Sequence, residues 1–517
     1  MRGVIACGSE PTAQAGAAIL ERGGNAADAA VAACFATATG EPTLTSLAGA
    51  GILIYRCAAT GEVTVCDFVS DAPHVGPDEV DDLDFFGVDL DFGAATQRFY
   101  IGAGSAAVPG SIPGLCEVLE RWGTMSFAEV VEPACRLLRE GVEIGEYQGR
   151  CAQLLTPILT CNEGGRAVFA PLGRMVRAGD HFTLPALADT LEAMATKGWR
   201  THYEQVLCQA MLDQFGPAAG GVLTPADFAS YRVHFREPLS LRYRGHQVLT
   251  VPPPAAGGPM IAMMLRLLDE VDLGALEPHG VDHTRLMCHV MTVADEARAE
   301  GAAALTPDRF PHWQQRFAEL RRGAALAVPA RGGGPSSTTH VSVIDSEGNA
   351  AAVTVSYGEG NASMIGDSGI MMNNLMGEED LFPDGFGSAP KGQRLSTMMS
   401  PTLLLSPDGG VTVLGTGGAN RIRTAIVQVV SWLTDYGWPA ARATAAPRLH
   451  YEEGVLNVEV GEMADEGDAL EALGAQQLVR FPQHALFFGG VHLARRAGDG
   501  TLDGAGDPRR GGTCRVV

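Results

Sequence analysis

The sequence predicts a mixed α+β globular protein, on three observations. Residues 113 to 140, 186 to 215 and 281 to 302 repeat apolar positions at helical spacing, whereas short alternating runs around Gly and Asn turns read as strands. The 517 residues are 46% apolar and 19% charged, enough to bury a large core in one to three domains, and this excludes a disordered, collagenous or disulfide-stapled chain. In chain order, Pro11 opens a helix over Thr12 to Arg22, Gly23-Gly24-Asn25 stops it, and an Ala-rich helix restarts from Ala26 to about Ala38. Helices of such small residues suit close packing on a flat partner. Gly51 to Tyr55 and Val63 to Phe68 read as strands around a Gly61 turn, and the acidic stretch Asp78 to Asp91 as a surface loop. Pro252-Pro253-Pro254 with Gly257-Gly258 stops a strand and turns the chain. The Gly-rich stretch Ala330 to Ser337 is too flexible for a packed element. No internal repeat is evident.

Sixty acidic residues against 37 basic ones leave a formal charge of −23, which repels phosphate backbones and argues against nucleic acid as a partner. Eleven irregularly spaced cysteines predict reduced, mostly buried thiols and hence a cytoplasmic protein. The opening residues offer no apolar stretch of about seven residues for a signal peptide. No run approaches the roughly 20 apolar residues of a membrane span. His279, His283 and His289 flank a helix start, where surface or capping roles are expected, and no companion ligand set suggests a metal or any other cofactor.

The chemistry concentrates behind the Gly-rich stretch. Thr338 to Asp345 and Ala350 to Tyr357 alternate as strands about a Ser346-Glu347-Gly348-Asn349 turn, forming a hairpin. Counting outward from Glu347 pairs Thr338 with Ser356, to within one residue of register. A flexible arm running into a strand-initial threonine suits a chain that cuts itself between Ser337 and Thr338. The new α-amine, with a reference pKa of about 7.7–8.0, is then a base beside its own hydroxyl. The alternative is that Thr338 and Thr339 are ordinary strand residues. Leu414-Gly415-Thr416-Gly417-Gly418-Ala419-Asn420-Arg421 joins a strand to a helix and can aim backbone N–H groups into a cavity. A dinucleotide fingerprint is the rival for this cluster, but no βαβ unit with a following acidic residue accompanies it.

Thr338-Thr339-His340, Gly348-Asn349-Ala350, Gly366-Asp367-Ser368-Gly369-Ile370 and Asn373-Asn374 resemble the small-subunit core of the γ-glutamyltransferase family of N-terminal nucleophile hydrolases. Ala13 to Ala30, which includes Gly23-Gly24-Asn25, resembles the family's N-terminal helix pair, and Val108 to Gly114 and Pro252 to Gly258 resemble further upstream family segments in the same order. The resemblance implies a four-layer αββα sandwich and an inactive precursor. It further implies division into a large subunit, 1–337, and a small subunit, 338–517, that remain together as a heterodimer. It makes Thr338 the nucleophile and Ser356 the hydroxyl residue beside its amine. Gly417 and Gly418, or Gly418 and Ala419, become the oxyanion hole.

Substrate recognition departs from the family. Where the family holds the glutamyl carboxylate with an arginine, this chain has Val69, which removes a bidentate grip. Glu378 keeps a carboxylate near the family's ammonium ligand and Asn374 an amide, while Leu375 cannot hydrogen-bond and Gly358 replaces an Asn. Ser396-Thr397 corresponds roughly to the family's carboxylate-binding Ser-Ser pair, and nearby Arg394 is a candidate for the missing cation. The segment between Glu378 and Leu395 is short, so an open pocket without a long lid is expected.

The resulting expectation is a self-processing N-terminal threonine hydrolase or acyltransferase acting on a small amino-acid-derived substrate through an acyl-enzyme, with hydrolysis favoured. The second possibility is a carbon–carbon bond hydrolase of the same family in antibiotic biosynthesis. The third is an unprocessed, non-catalytic binding protein.

Overall fold

The computed structural model describes residues 1–91, 96–323, 337–382, 385–459, 470–471 and 473–517. The Gly-rich stretch, apart from Ser337, lies outside the described residues. The chain opens on the strand Gly3–Cys7, and Ser9 then caps the helix Glu10–Glu21. Asn25 and Asp28 form a capping box for the helix Ala26–Gly40, whose residues are buried on every side. Its alanines, threonines and glycine let it lie against the sheet while other helices cover its back.

Two antiparallel sheets form the centre. The first runs Thr513–Val516, Gly3–Cys7, Thr338–Asp345, Ala350–Ser356, Ala50–Arg56, Val63–Phe68 and His234–Arg236. The second runs Leu502–Ala505, His492–Arg496, Val411–Gly415, Thr402–Leu405, His246–Thr250 and Leu239–Tyr243. Strand periodicity divides the core. Ile5, Leu53, Tyr55, Val341, Val343 and Val353 face the helix Ala26–Gly40 and its neighbours, whereas Val4, Ile52, Ile54, Ile344 and Ala352 face Leu403, Val413 and Ala494 of the other sheet. On the far side, Leu414 and Leu493 meet the helices Gly257–Leu268, Val281–Ala299 and Arg421–Thr434. Helix, sheet, sheet and helix are thus the four layers that the resemblance implies.

Residues on both sides of the expected scission point share one sheet. Gly3–Cys7 pairs with the hairpin's first strand and Ala50–Arg56 with its second.

Two expectations are corrected. Part of the acidic stretch is a strand, Phe86–Asp91, paired with Thr96–Ile101, because alternate residues such as Leu90 find a core to enter. His279, His283 and His289 are buried rather than at the surface. His279 and His283 pack on Trp432, and burial lowers their pKa values to about 4 and about 3, so they serve as neutral core rings. Among the described residues, no group of three or more His, Cys, Asp or Glu side chains is arranged to hold a metal ion.

Candidate active site

The hairpin register pairs Thr338 with Ser356, as counting from the turn predicts. Strand alternation points both toward the second sheet, at the end where the first sheet opens into a cavity. The Thr338 hydroxyl donates to Ser356 Oγ at 3.2 Å, and the Ser356 hydroxyl donates to the Ser337 carbonyl oxygen at 2.6 Å. One hydroxyl therefore bridges the threonine and the carbonyl of the peptide bond preceding it. Gly358 N–H donates to the same Ser356 oxygen at 3.3 Å.

Two buried groups hold the threonine's backbone from the other side. Arg510 Nη1 donates to the Thr338 carbonyl at 2.8 Å. The Gly417 backbone lies against the same carbonyl so closely that a Cβ there would sit 2.0 Å from its oxygen. Glycine is required by that approach. The loop continues through Gly418 and Ala419, both at positive φ, into the helix Arg421–Thr434, whose positive end faces this region. Ala419 and Asn420 line the cavity, so the structure brings the Gly417–Asn420 loop beside Thr338.

The cavity holds about 420 Å³. Thr338 and Ser356 lie in its wall with Val69, Leu375, Leu381, Leu395, Met398 and Met399, and the polar groups Glu378, Ser396, Thr397, Arg298 and Asn420 complete it. Glu378 is buried and its carboxylate abuts Gly358, where a Cβ would lie 2.7 Å from Oε1 and 2.1 Å from Asn374 Oδ1. With φ at +70° as well, position 358 suits the glycine it carries, and the Asn374 and Glu378 side chains close in on it. Ser396 Oγ donates to the Pro254 carbonyl at 3.0 Å, and Thr397 Oγ1 accepts from Met399 N–H at 3.1 Å.

The structure does not bring Asn374 and Arg394 into the cavity wall. Asn374 sits behind it, accepting from Glu359 N–H at 2.7 Å and donating to the Tyr100 carbonyl at 3.2 Å. Arg394 is turned away to the Val69 carbonyl, the Tyr231 hydroxyl and Asp71, whose carboxylate lies 3.0 Å from Nε. A guanidinium already enclosed by Asp71 and backbone oxygens has little left to offer a substrate.

Sequence reasoning missed Glu359, Arg510 and Arg298. Glu359 accepts from the Ser337 N–H at 2.8 Å and from its hydroxyl. Burial pushes the Glu359 carboxyl up to about 7, against the opposing pull of Ser337 and Arg510. Its place three residues beyond Ser356 was the available signal. Arg510 and Arg298 reach the site from elements remote in sequence and gave none.

A four-layer antiparallel sandwich that presents a strand-initial threonine at the mouth of an intersheet cavity defines the N-terminal nucleophile hydrolase class. Within that class the chain belongs to the gamma-glutamyltranspeptidase family, whose profile matches residues 12–517. It is 32% identical over 526 residues to the Acylase ACY 1 proenzyme of Pseudomonas sp. strain SE83, covering 99% of this chain and 93% of that one. It is 29% identical over 538 residues to the Glutathione hydrolase proenzyme of Escherichia coli strain K12, covering 98% and 90%. The crystal structure of cephalosporin acylase from Bacillus halodurans shares the fold with a TM-score of 0.84 at 23% identity, covering 99% of this chain and 95% of that one. The chain is accordingly an enzyme of a hydrolase and transferase family.

Proposed function

We propose that this protein is a self-processing acylase, which hydrolyses the amide between an apolar acyl group and a small amine through an ester on Thr338. The observation that carries this reading is the cavity: the Thr338 hydroxyl opens onto Val69, Leu375, Leu395, Met398 and Met399, with valine at the family's arginine position. Such a wall favours an alkyl chain at about 25 cal/mol per Å² buried and leaves a glutamyl carboxylate without its usual partner. The acylase proenzyme among the relatives supports the same reading.

Processing begins when Thr338 Oγ bonds to the Ser337 carbonyl carbon. Its proton passes to Ser356 Oγ while the Ser356 proton passes to the carbonyl oxygen. Collapse of this adduct breaks the C–N bond and returns the proton to nitrogen, leaving an ester and a free amine. Water then splits the ester into a Ser337 carboxylic acid and a restored Thr338 hydroxyl. In turnover the amine takes the hydroxyl's proton as Oγ attacks the substrate carbonyl and delivers it to the leaving amine; water, deprotonated by the same amine, then attacks the ester carbon, and the proton returns to Thr338 Oγ as the acid leaves. N–H groups of the Gly417–Ala419 loop receive the oxyanion. Glu378 takes any ammonium on the substrate, and Ser396 and Thr397 complete the polar rim. The two pieces stay together as a heterodimer. The enzyme acts in the cytosol, consistent with all eleven cysteines being free.

The test joins N-terminal sequencing to a set of p-nitroanilides carrying alkanoyl or γ-glutamyl groups. A 180-residue piece beginning at Thr338 is expected, with alkanoyl kcat/KM at least tenfold above γ-glutamyl; 517 residues less 337 give that length. Thr338→Ala should abolish both division and turnover. An undivided chain that hydrolyses the alkanoyl anilides, or a clear preference for γ-glutamyl, overturns the proposal. Inertness toward every amide, together with cleavage of a carbon–carbon bond beside a ketone, replaces it with the carbon–carbon hydrolase reading.

A further inference from the structure

We propose that Glu359 is a positioning residue for backbone scission, gripping Ser337 so that the bond to be broken lies against the Thr338 hydroxyl. The inference rests on the self-processing reading above and assigns a part of that step to a loop residue outside the cavity wall.

Ser337 is held at all three of its polar groups. Its N–H donates to Glu359 Oε1 at 2.8 Å, its hydroxyl donates to Glu359 Oε2, and its carbonyl accepts from Ser356 at 2.6 Å. Two hydrogen bonds from one residue to both oxygens of one carboxylate fix rotation as well as position. The grip has a rigid base. Glu359 is 3% exposed, its N–H is bound by Asn374, and it lies between Gly358 and Gly360, both at positive φ. That backbone turns the chain immediately after Ser356, so Ser356 reaches the Ser337 carbonyl while Glu359 reaches its N–H and hydroxyl. A buried carboxylate carries a desolvation cost that calls for a compensating role. Here the carboxylate is met by the N–H and hydroxyl of the residue ahead of the break.

Attack on a peptide carbon needs the reacting atoms held near contact distance, and small misplacements are costly in rate. The loop supplies that restraint while Ser356 passes the protons. After the bond breaks, Ser337 ends in a carboxylate beside the Glu359 carboxylate. Two carboxyl groups facing each other in a buried site repel when both are ionised, so the contact that held the precursor is weaker in the product whenever both have lost their protons.

The test follows division of the full chain on denaturing gels after pulse-labelled cell-free translation. The variants are Glu359→Ala, Glu359→Gln, Ser337→Ala and the Glu359→Ala/Ser337→Ala double variant. Glu359→Ala is expected to divide at least tenfold more slowly than wild type. Glu359→Gln, which keeps an oxygen for the Ser337 N–H and an amide for its hydroxyl, should stay within about threefold. Ser337→Ala should be slowed several-fold, and should add nothing in the Glu359→Ala background, because both changes remove the same contact. The Ser337→Ala and Glu359→Gln arms decide the matter if Glu359→Ala aggregates. Wild-type division with an undiminished rate in Glu359→Ala, or equal slowing by Ser337→Ala in both backgrounds, overturns this inference alone. A wild-type chain that never divides overturns the processing reading and this inference together.

Discussion

A single threonine has its surroundings set by three unrelated parts of the chain: Ser356 from the neighbouring strand, Gly417 from the loop after another strand, and Arg510 from near the C-terminus. The first was legible by counting and the second through its Gly-rich motif and the family resemblance, whereas Arg510 gave no signal. A hairpin converts sequence distance into spatial pairing by simple counting, whereas loops and remote segments obey no such arithmetic. The same limit explains Arg394, which neighbours the Ser396-Thr397 pair in sequence but is drawn to Asp71 and the Val69 carbonyl in space. Gly417 bears a sharp prediction. A methyl group there must displace the Thr338 carbonyl or the loop itself, so Gly417→Ala should lower turnover per divided chain at least tenfold by a shift of the nucleophile. Steady-state kinetics normalised to the amount of divided protein measures it, and an unchanged kcat would show that the loop yields without moving Thr338.

The Ala-rich helix shows what an element costs and gains. Burial on all sides demands small side chains, which were visible in its composition; the Asn25–Asp28 capping box at its start is a finding of the structure. Its C-terminal end was not legible as a polar centre. Glu41 caps it, buried, and accepts hydroxyls from Thr12 at 3.0 Å and from Thr339 of the nucleophile strand. A negative charge at a helix C-terminus is unfavourable, and burial raises the Glu41 carboxyl from 4.5 to about 6. Below pH 4.5 both folded and unfolded forms are protonated and no penalty exists. As pH rises through 4.5 to 6 the unfolded chain loses its proton first, so folding stability falls, by about 2 kcal/mol once pH exceeds 6. Glu41→Gln is therefore expected to raise Tm by about 1–3 °C at pH 7.5 and to leave it nearly unchanged at pH 4.5. Melting curves of the two proteins across that range decide it, and a Tm that falls at pH 7.5 would show that the charge on Glu41 is needed by Arg510 and the strand.

Across the whole molecule, segments before and after residue 337 interleave within one sheet, where Gly3–Cys7 lies between two strands from beyond the break. Division at Ser337–Thr338 should accordingly leave an assembly that elutes as one species, while a denaturing gel separates it into two bands. Elution of either piece alone without denaturant would contradict this, since each would expose the edges of unpaired central strands. The amino-acid order by itself determined the mixed α+β character, the hairpin and its threonine–serine pair, because propensity and periodicity act locally. Tertiary structure alone decided that Glu359 meets Ser337, that Arg510 supports Thr338, that Arg394 turns away, and that the wall around the threonine is apolar. Those outcomes depend on which distant surfaces pack together, and close packing of two sheets and their helices is a property of the assembled chain.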